Sequence, residues 1–305
     1  MSARTRLRSA ASIALTTVVA TSSVALLTAG AASAATAPNG LTISNGTKYV
    51  VINGKSVDFG TPLRDLSWSP DGSKAAFIDG TNGSLVVSNP DGSGKTVVAR
   101  NPGGQIWSHP TWQVTAAVPE YRLPAKNNII FSADKGGVST LLRMVATAHN
   151  SKPTVLSLNT YSDDDAKPLP QTGNVWPSAG GSYGSAVYAN SNTGEVFIRD
   201  DYLRQQGAAT TKGSQPALSP NGEEVVFVRS VDGHNHLFEL DINGQQHTVK
   251  DLTPGATANY VQPTWSPDGK TIAARTTGGI ATVPADGSAK PTLVSTSTGM
   301  PAFRR

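Results

Sequence analysis

Side chains able to do chemistry are sparse in this chain, and their spacing decides most of what they could do. Its five histidines are His109, His149, His234, His236 and His247, and it has no cysteine. His234 and His236 stand two apart, so on an extended strand both rings face one side, and a converging third ligand would make a metal site. They follow the turn signal Asp232-Gly233. That places them at a solvent rim, and no metal is expected there. Asp163-Asp164-Asp165 is the densest acidic run. Calcium favours clustered carboxylates, but the spacing of a calcium-binding loop is missing, and a solvated loop is expected. Gly180-Gly181-Ser182-Tyr183-Gly184 matches G-x-S-x-G. A nucleophile elbow needs a strand, a sharp turn and a helix. Here the strand-like Ala186-Val187-Tyr188 follows, so the segment reads as a glycine-rich turn, and no catalytic residue is assigned.

One constellation emerges only when the elements that carry it are read. Pro263-Thr264-Trp265-Ser266-Pro267-Asp268-Gly269 has a second copy ending Ser67-Trp68-Ser69-Pro70-Asp71-Gly72, and a third in Pro216-Ala217-Leu218-Ser219-Pro220-Asn221-Gly222. Ser-Pro-Asp-Gly suits a type I turn, with proline pre-set at its second position and glycine at its fourth. Apolar, β-rich runs follow each copy: Lys74 to Ile78, Glu224 to Val228 and Thr271 to Ala274. Third strands (Leu85 to Val87, His236 to Leu240, Ile280 to Val283) and short fourth ones come next, separated by Asp-Gly or Asn-Gly turns. Units of this size and content are the four-stranded blades of a β-propeller.

Weaker units open at Pro110-Thr111-Trp112 and Pro177-Ser178-Ala179. Pro301-Ala302-Phe303 is a first strand with no blade behind it, and residues 41–57 hold strands with no opening motif. The two ends therefore combine, which closes the ring and removes its free edges. The anchor positions Trp68, Trp112, Ala179, Leu218, Trp265 and Phe303 lie 44, 67, 39, 47 and 38 residues apart. This predicts an all-β, six-bladed propeller over residues 41–305 with one composite blade. The long interval is assigned to a polar loop at 159–173, and a seventh blade would have to hide within 113–175. Trp68, Trp112 and Trp265 share one blade position and are expected to pack between blades. Trp107 and Trp176 fall outside that register and are the tryptophans read as ligand candidates.

First strands line a propeller's channel. The residue before each anchor triplet then recurs once per blade: Asp65, His109, Trp176, Gln215, Gln262 and Met300. These six are predicted to ring one mouth of the channel, where they could hydrogen-bond to and stack on a peptide or sugar. They are the candidate ligand-binding residues. No cofactor is expected.

The chain is 305 residues long, and its first 34 read as an export signal. Arg4, Arg6 and Arg8 precede a run rich in Ala, Val, Leu and Thr, and Ala32-Ser33-Ala34 offers small residues for cleavage. Residues 35–40 are a short linker. Three of the 25 basic residues leave with the signal and none of the 21 acidic ones, so the balance falls to 22 against 21. Near-neutrality argues against a nucleic-acid partner. No later segment reads as a membrane span, and a monomer in an extracellular or periplasm-like space is expected. Without cysteine there is no disulfide framework, so a broad core must hold the fold. Asn45-Gly46-Thr47 and Asn82-Gly83-Ser84 match the glycosylation pattern, read here as chance.

The P-x-W-S-P-D-G repeats resemble those of TolB-type propellers. The resemblance covers the whole exported chain, strongly in three blades. It implies a propeller and, as in TolB-like proteins, capture of partner peptides at the channel mouth. TolB proper carries an α/β domain before its propeller, for which no room is read before Leu41. The expected function is a non-enzymatic binding propeller that holds a protein segment or a cell-envelope ligand. The alternative is a polysaccharide lyase or hydrolase in which His109 is the base and Asp65 orients it.

Overall fold

A computed structural model describes residues 37–158, 168–201, 207–243 and 247–305. The segment expected to be an export signal, the Asp163-Asp164-Asp165 run and most of the 159–173 loop lie outside the described residues. Among the described residues, twenty-four strands form six four-stranded antiparallel sheets. In chain order they begin with β1 (Leu41–Ser44), β2 (Tyr49–Ile52) and β3 (Lys55–Asp58). Blade 1 is β4 (Leu63–Trp68), β5 (Ala75–Asp79), β6 (Leu85–Ser88) and β7 (Thr96–Ala99). Blade 2 is β8 (Ile106–Thr115), β9 (Lys126–Lys135), β10 (Val138–Val145) and β11 (Thr154–Val155). Blade 3 is β12 (Asn174–Gly180), β13 (Ser185–Asn190), β14 (Glu195–Arg199) and β15 (Gly207–Lys212). Blade 4 is β16 (Ser214–Leu218), β17 (Glu224–Val231), β18 (His234–Asp241) and β19 (Val249–Asp251). Blade 5 is β20 (Val261–Trp265), β21 (Thr271–Thr276), β22 (Gly279–Pro284) and β23 (Thr292–Ser295). Strand β24 (Met300–Phe303) pairs with β1, so blade 6 is the expected composite, ordered β24-β1-β2-β3.

First strands neighbour one another in sequence, β4 to β8, β12, β16, β20, β24 and back to β4, which closes a six-membered ring. The long interval in the spacing is only partly the 159–173 loop. Strands β8 and β9 each run ten residues, and the hairpin they form extends well past the anchor Trp112.

The turns show why the repeat has its composition. In blade 1 the Ser69 carbonyl accepts the Gly72 N–H at 2.8 Å, the Ser69 hydroxyl donates to Asp71 at 2.5 Å, and the Lys74 N–H donates back to that hydroxyl at 2.9 Å. Blade 5 repeats this with Ser266, Asp268, Gly269 and Thr271, and blade 4 with Asn221 in place of the aspartate. Serine and an adjacent carboxylate or amide thus satisfy the backbone of a tight turn that joins first strand to second. The Ser69 and Ser73 hydroxyls hold the Asp71 carboxyl down at about 2.

The core is divided the same way. Six clusters of buried side chains lie at the six blade interfaces. Examples are Ile78, Trp107 and Phe131 between blades 1 and 2, and Val226, Trp265 and Ile272 between blades 4 and 5. Each fully buried Leu, Ile or Phe contributes roughly 1.5–3 kcal/mol. That burial does the holding which disulfides do in many exported domains. Among the described residues no helix is long and apolar enough to cross a membrane.

Candidate functional site

The proline-preceding ring residues sit at a repeated backbone irregularity. Five first strands lose register with the second strand across the two positions that hold the ring residue and its neighbour. At each bulge the ring residue has left-handed backbone: Asp65 (φ 56°), His109 (52°), Trp176 (54°), Gln215 (50°) and Gln262 (55°). A residue with a Cβ rarely takes that conformation, and a following proline disfavours helical backbone further in four of the five. Each such position costs on the order of 1–3 kcal/mol and persists only where its surroundings enforce it. The geometric return is a re-aimed side chain, as bulges provide. Blade 6 differs. Met300 lies opposite Ser44 in an unbroken ladder, and the neighbouring Gly299 takes φ 155° where an added Cβ would meet the Ser44 carbonyl at 2.5 Å.

A cavity of about 470 Å³ runs along the channel. His109, Trp176, Gln215, Gln262 and Met300 line it at the ring level, and Pro70, Ser182, Pro220 and Pro267 line it at the turns. Asp65 is not part of this lining. Its carboxylate accepts the backbone N–H of His109 at 3.1 Å. In the same way the Gln215 amide oxygen accepts the Gln262 N–H at 2.7 Å, so each side chain fixes the next blade's ring residue. Between His109 and Trp176 the link is ring on ring, with centroids 3.5 Å apart.

Two buried polar atoms at this level have no partner among the described residues: Nδ1 of His109 and Oε1 of Gln262. Such atoms are uncommon, because each forfeits a hydrogen bond it would have made in water. Burial pushes the His109 imidazole below its ordinary value of 6.5, and Arg64 adds to that against the opposing pull of Asp65. The ring is therefore neutral near pH 7. The Asp65 carboxylate accepts the His109 backbone N–H and not the imidazole, whose Nδ1 is unpaired among the described residues.

Above the ring, hydroxyls tie blades together. Thr111 Oγ1 accepts the Ala179 N–H and Ser178 Oγ accepts the Leu218 N–H, each at 3.0 Å. The anchor tryptophans reach backward. Trp112 Nε1 donates to the Ser67 carbonyl at 3.2 Å and Trp265 Nε1 to the Ala217 carbonyl at 2.9 Å. Trp68 donates to the Thr42 hydroxyl at 3.0 Å, which in turn donates to the Ala302 carbonyl at 2.9 Å. These three are inter-blade clasps, as their register implied. Trp107 is not a ligand candidate. It is 1% exposed, packs on Phe131 at 4.9 Å and donates to Gln105.

The other histidines stay apart. His236 is 3% exposed and pairs with Asp251 at 2.9 Å, so the expectation of a solvent-rim position fails for it. His234, at the start of β18, is half-buried, and its Nδ1 has no partner among the described residues. His149 and His247 are exposed. Among the described residues no three His, Asp or Glu side chains gather as a metal set. Ser182 lies in the turn between β12 and β13 and is exposed at the cavity rim.

One polar cluster had no signal in the sequence. At the root of the β8–β9 hairpin, Asp201 takes Lys126 Nζ at 2.8 Å and Gln113 Nε2 at 2.7 Å, and also pairs with Arg199. Gln113 further donates to the Gly184 carbonyl at 2.6 Å, and Lys126 to that of Tyr183 at 2.7 Å. Burial raises the Asp201 carboxyl, but Lys126 and Arg199 more than reverse this and leave it below the ordinary carboxylate range. The partners stand 75 and 88 positions apart in the chain, beyond any local pattern.

Solved structures share this architecture. TolB from Acinetobacter baumannii superposes with a TM-score of 0.59 at 15% identity, over 87% of this chain and 65% of that one. The fold is a β-propeller similar to the one in that protein. A protein of Agrobacterium tumefaciens assigned to TolB gives 0.56 at 16% identity, over 86% of this chain and 88% of that one. An oligogalacturonate lyase in complex with manganese gives 0.54 at 9% identity, over 87% and 82%. No protein-family profile and no curated protein sequence matches the chain. The chain spans 65% of the Acinetobacter protein's length. At these identities the TolB-type likeness speaks for architecture alone.

Proposed function

We propose that this is an exported, non-enzymatic binding propeller that holds an uncharged segment of a partner protein or envelope component in its channel cavity. The observation that carries the reading is the pair of partnerless buried atoms, His109 Nδ1 and Gln262 Oε1, set beside the Trp176 ring in a 470 Å³ cavity. A ligand that hydrogen-bonds to both and stacks on the indole would supply the partners these atoms lack. Strained backbone at five ring positions supports the same reading, since strain of this kind gathers at binding sites. The lining carries one formally charged side chain, Arg305, so selection would rest on shape and neutral hydrogen bonds.

The test is capture from the producing cells' envelope and medium with the purified exported chain as bait, beside Trp176→Ala and Gln262→Ala variants checked for intact melting. A ligand retained by the parent and held at least tenfold more weakly by both variants is expected, which corresponds to about 1.4 kcal/mol. Equal retention by parent and variants would remove the cavity from the function. N-terminal sequencing of the secreted chain tests export, and a first residue of Ala35 is expected.

A further inference from the structure

Asn45, Gly46 and Thr47 lie in the connection from β1 to β2, and all three are exposed. The Thr47 hydroxyl donates to Asn45 Oδ1 at 2.8 Å, and the Thr47 N–H reaches the same oxygen at 3.3 Å. The Tyr49 carbonyl, at 3.4 Å, is the weaker competitor for the hydroxyl proton. Thr47 is itself held in place. The Tyr49 N–H donates to its hydroxyl at 3.2 Å, and the Leu63 N–H of blade 1 donates to its carbonyl at 3.1 Å. Two donors fixed by the fold therefore converge on one side-chain amide carbonyl. That arrangement stabilises negative charge developing on the oxygen when a nucleophile attacks the carbon.

The nucleophile within reach is the next backbone nitrogen, and a following glycine leaves that nitrogen unshielded by any side chain. Asparagine precedes glycine at 39, 45, 53, 82, 221 and 243, and Gly244 lies outside the described residues. Three of the nitrogens are engaged. Gly40 donates to Asn53 Oδ1 at 2.8 Å, Gly83 to the Asp79 carbonyl at 2.8 Å and Gly222 to the Ser219 carbonyl at 3.0 Å. Among the described residues the N–H groups of Gly46 and Gly54 have no hydrogen-bond acceptor. Asn53 and Gly54, at φ 48° and 76°, fill a two-residue turn closed by the Ile52↔Lys55 pair, so neither moves without disturbing the ladder. Asn53 Oδ1 also receives a single donor, the Gly40 N–H. Asn45 is thus the described pair that joins a free following nitrogen to a doubly polarised carbonyl. Gly46 is uncrowded as well, with no atom within 4 Å of a Cβ built on it.

We propose that Asn45 is a site at which this protein modifies itself. The Gly46 nitrogen gives its proton to solvent and bonds to the Asn45 Cγ. The Cγ–Nδ2 bond breaks, and the amide nitrogen takes up a proton and leaves as ammonia. Water then opens the cyclic imide at either of its carbonyls, which yields aspartate or isoaspartate. Water is consumed and ammonia released, with no change of oxidation state. The site adjoins the seam of the ring. Ser44 precedes it and pairs with Met300, and a Cβ on Gly299 would meet the Ser44 carbonyl at 2.5 Å. Isoaspartate adds one carbon to the main chain directly beside that close approach, and either product adds a negative charge. The modification is independent of the cavity and of what it holds.

The test is incubation of the folded, exported chain in mildly alkaline buffer, with peptide mapping over time for the conversion of amide to acid and enzymatic methyl labelling of isoaspartate. Asn45 is expected to convert at least about tenfold faster than Asn53, Asn82 or Asn221. In urea, where the fold no longer holds Thr47, the four should convert at similar rates. Thr47→Val removes one donor and should slow Asn45 roughly two- to tenfold, while Thr47→Ser should keep the parent's rate. Should Thr47→Val misfold, the comparison of folded and unfolded parent decides without it. Another pair leading in the fold, the same ranking in urea, or an unchanged rate in folded Thr47→Val overturns the proposal. The isoaspartate form, separated from the parent, should unfold at lower urea, and equal midpoints would overturn the link to the seam.

Discussion

At the scale of single residues, His109 joins strain, burial and a lost hydrogen bond in one place. Its imidazole is held below 6.5, first by burial and then by Arg64. The sign of the resulting pH dependence follows. Between the lowered folded value and the unfolded one, the unfolded chain keeps the proton and the folded chain does not, so stability rises with pH in that window and levels off above it. Urea midpoints of the parent should therefore fall as pH drops below 6.5. His109→Gln, which cannot titrate, should lose that part of the slope. Identical slopes in parent and variant would show that the ring takes up its proton in the fold without cost. The residue scale is also where the sequence said least. The ring positions were legible because they precede an anchor triplet in every blade. What each does was not. In the enzyme alternative Asp65 orients His109 as base, yet the Asp65 carboxylate accepts the His109 backbone N–H from its place in a bulge. Nothing local encodes that choice.

At the scale of the element, the first strand and its tryptophan were readable because turn chemistry and the interface clasp are both local in pattern. Trp265 shows what the clasp contributes. Trp265→Phe keeps most of the ring but removes the indole bond to the Ala217 carbonyl, at a cost of about 0.5–1.5 kcal/mol. Trp265→Ala adds a cavity, and the loss should reach about 3–5 kcal/mol. Trp176→Phe is the control. Its ring faces the channel and it donates no inter-blade bond among the described residues, so its urea midpoint should stay near the parent's. If both Phe variants melted alike, the clasp would be packing alone. The blade 2 hairpin marks the limit of legibility at this scale. Its apolar, proline-bearing stretch at 116–125 lacks the alternation of a strand and the Asp-Gly of a blade turn, so spacing alone could not place it. Its anchors come from blade 3, through contacts that only the closed ring creates.

At the scale of the whole molecule, stability depends on closing the circle, and the seam is made by residues from both ends of the chain. Strand β24 pairs with β1 from Leu41↔Phe303 to Ser44↔Met300. The Arg304 N–H donates to the Gly40 carbonyl at 2.8 Å, and the Arg304 side chain donates to the Gly72 carbonyl at 2.9 Å. Thr42 stands at the centre, fully buried, and relays Trp68 of blade 1 to Ala302 of blade 6. The relay replaces the direct tryptophan-to-carbonyl clasp of blades 2 and 5, so at the composite interface the tryptophan clasp runs through one hydroxyl. Thr42→Val is nearly isosteric and leaves the Trp68 indole N–H unpaired, while the Ala302 carbonyl keeps its place in the β1–β24 ladder. The orphaned N–H costs about 1–3 kcal/mol. Thr42→Ser restores the hydroxyl and should recover most of the loss. Because every blade packs only on its two neighbours, an opened seam exposes two faces at once and strips the ring of its mutual support. Thr42→Val should therefore lower the urea midpoint and broaden the transition into more than one step, with residues 41–58 gaining hydrogen exchange ahead of blades 3 and 4. A single sharp transition at the parent's midpoint would mean that the β1–β24 ladder alone closes the ring.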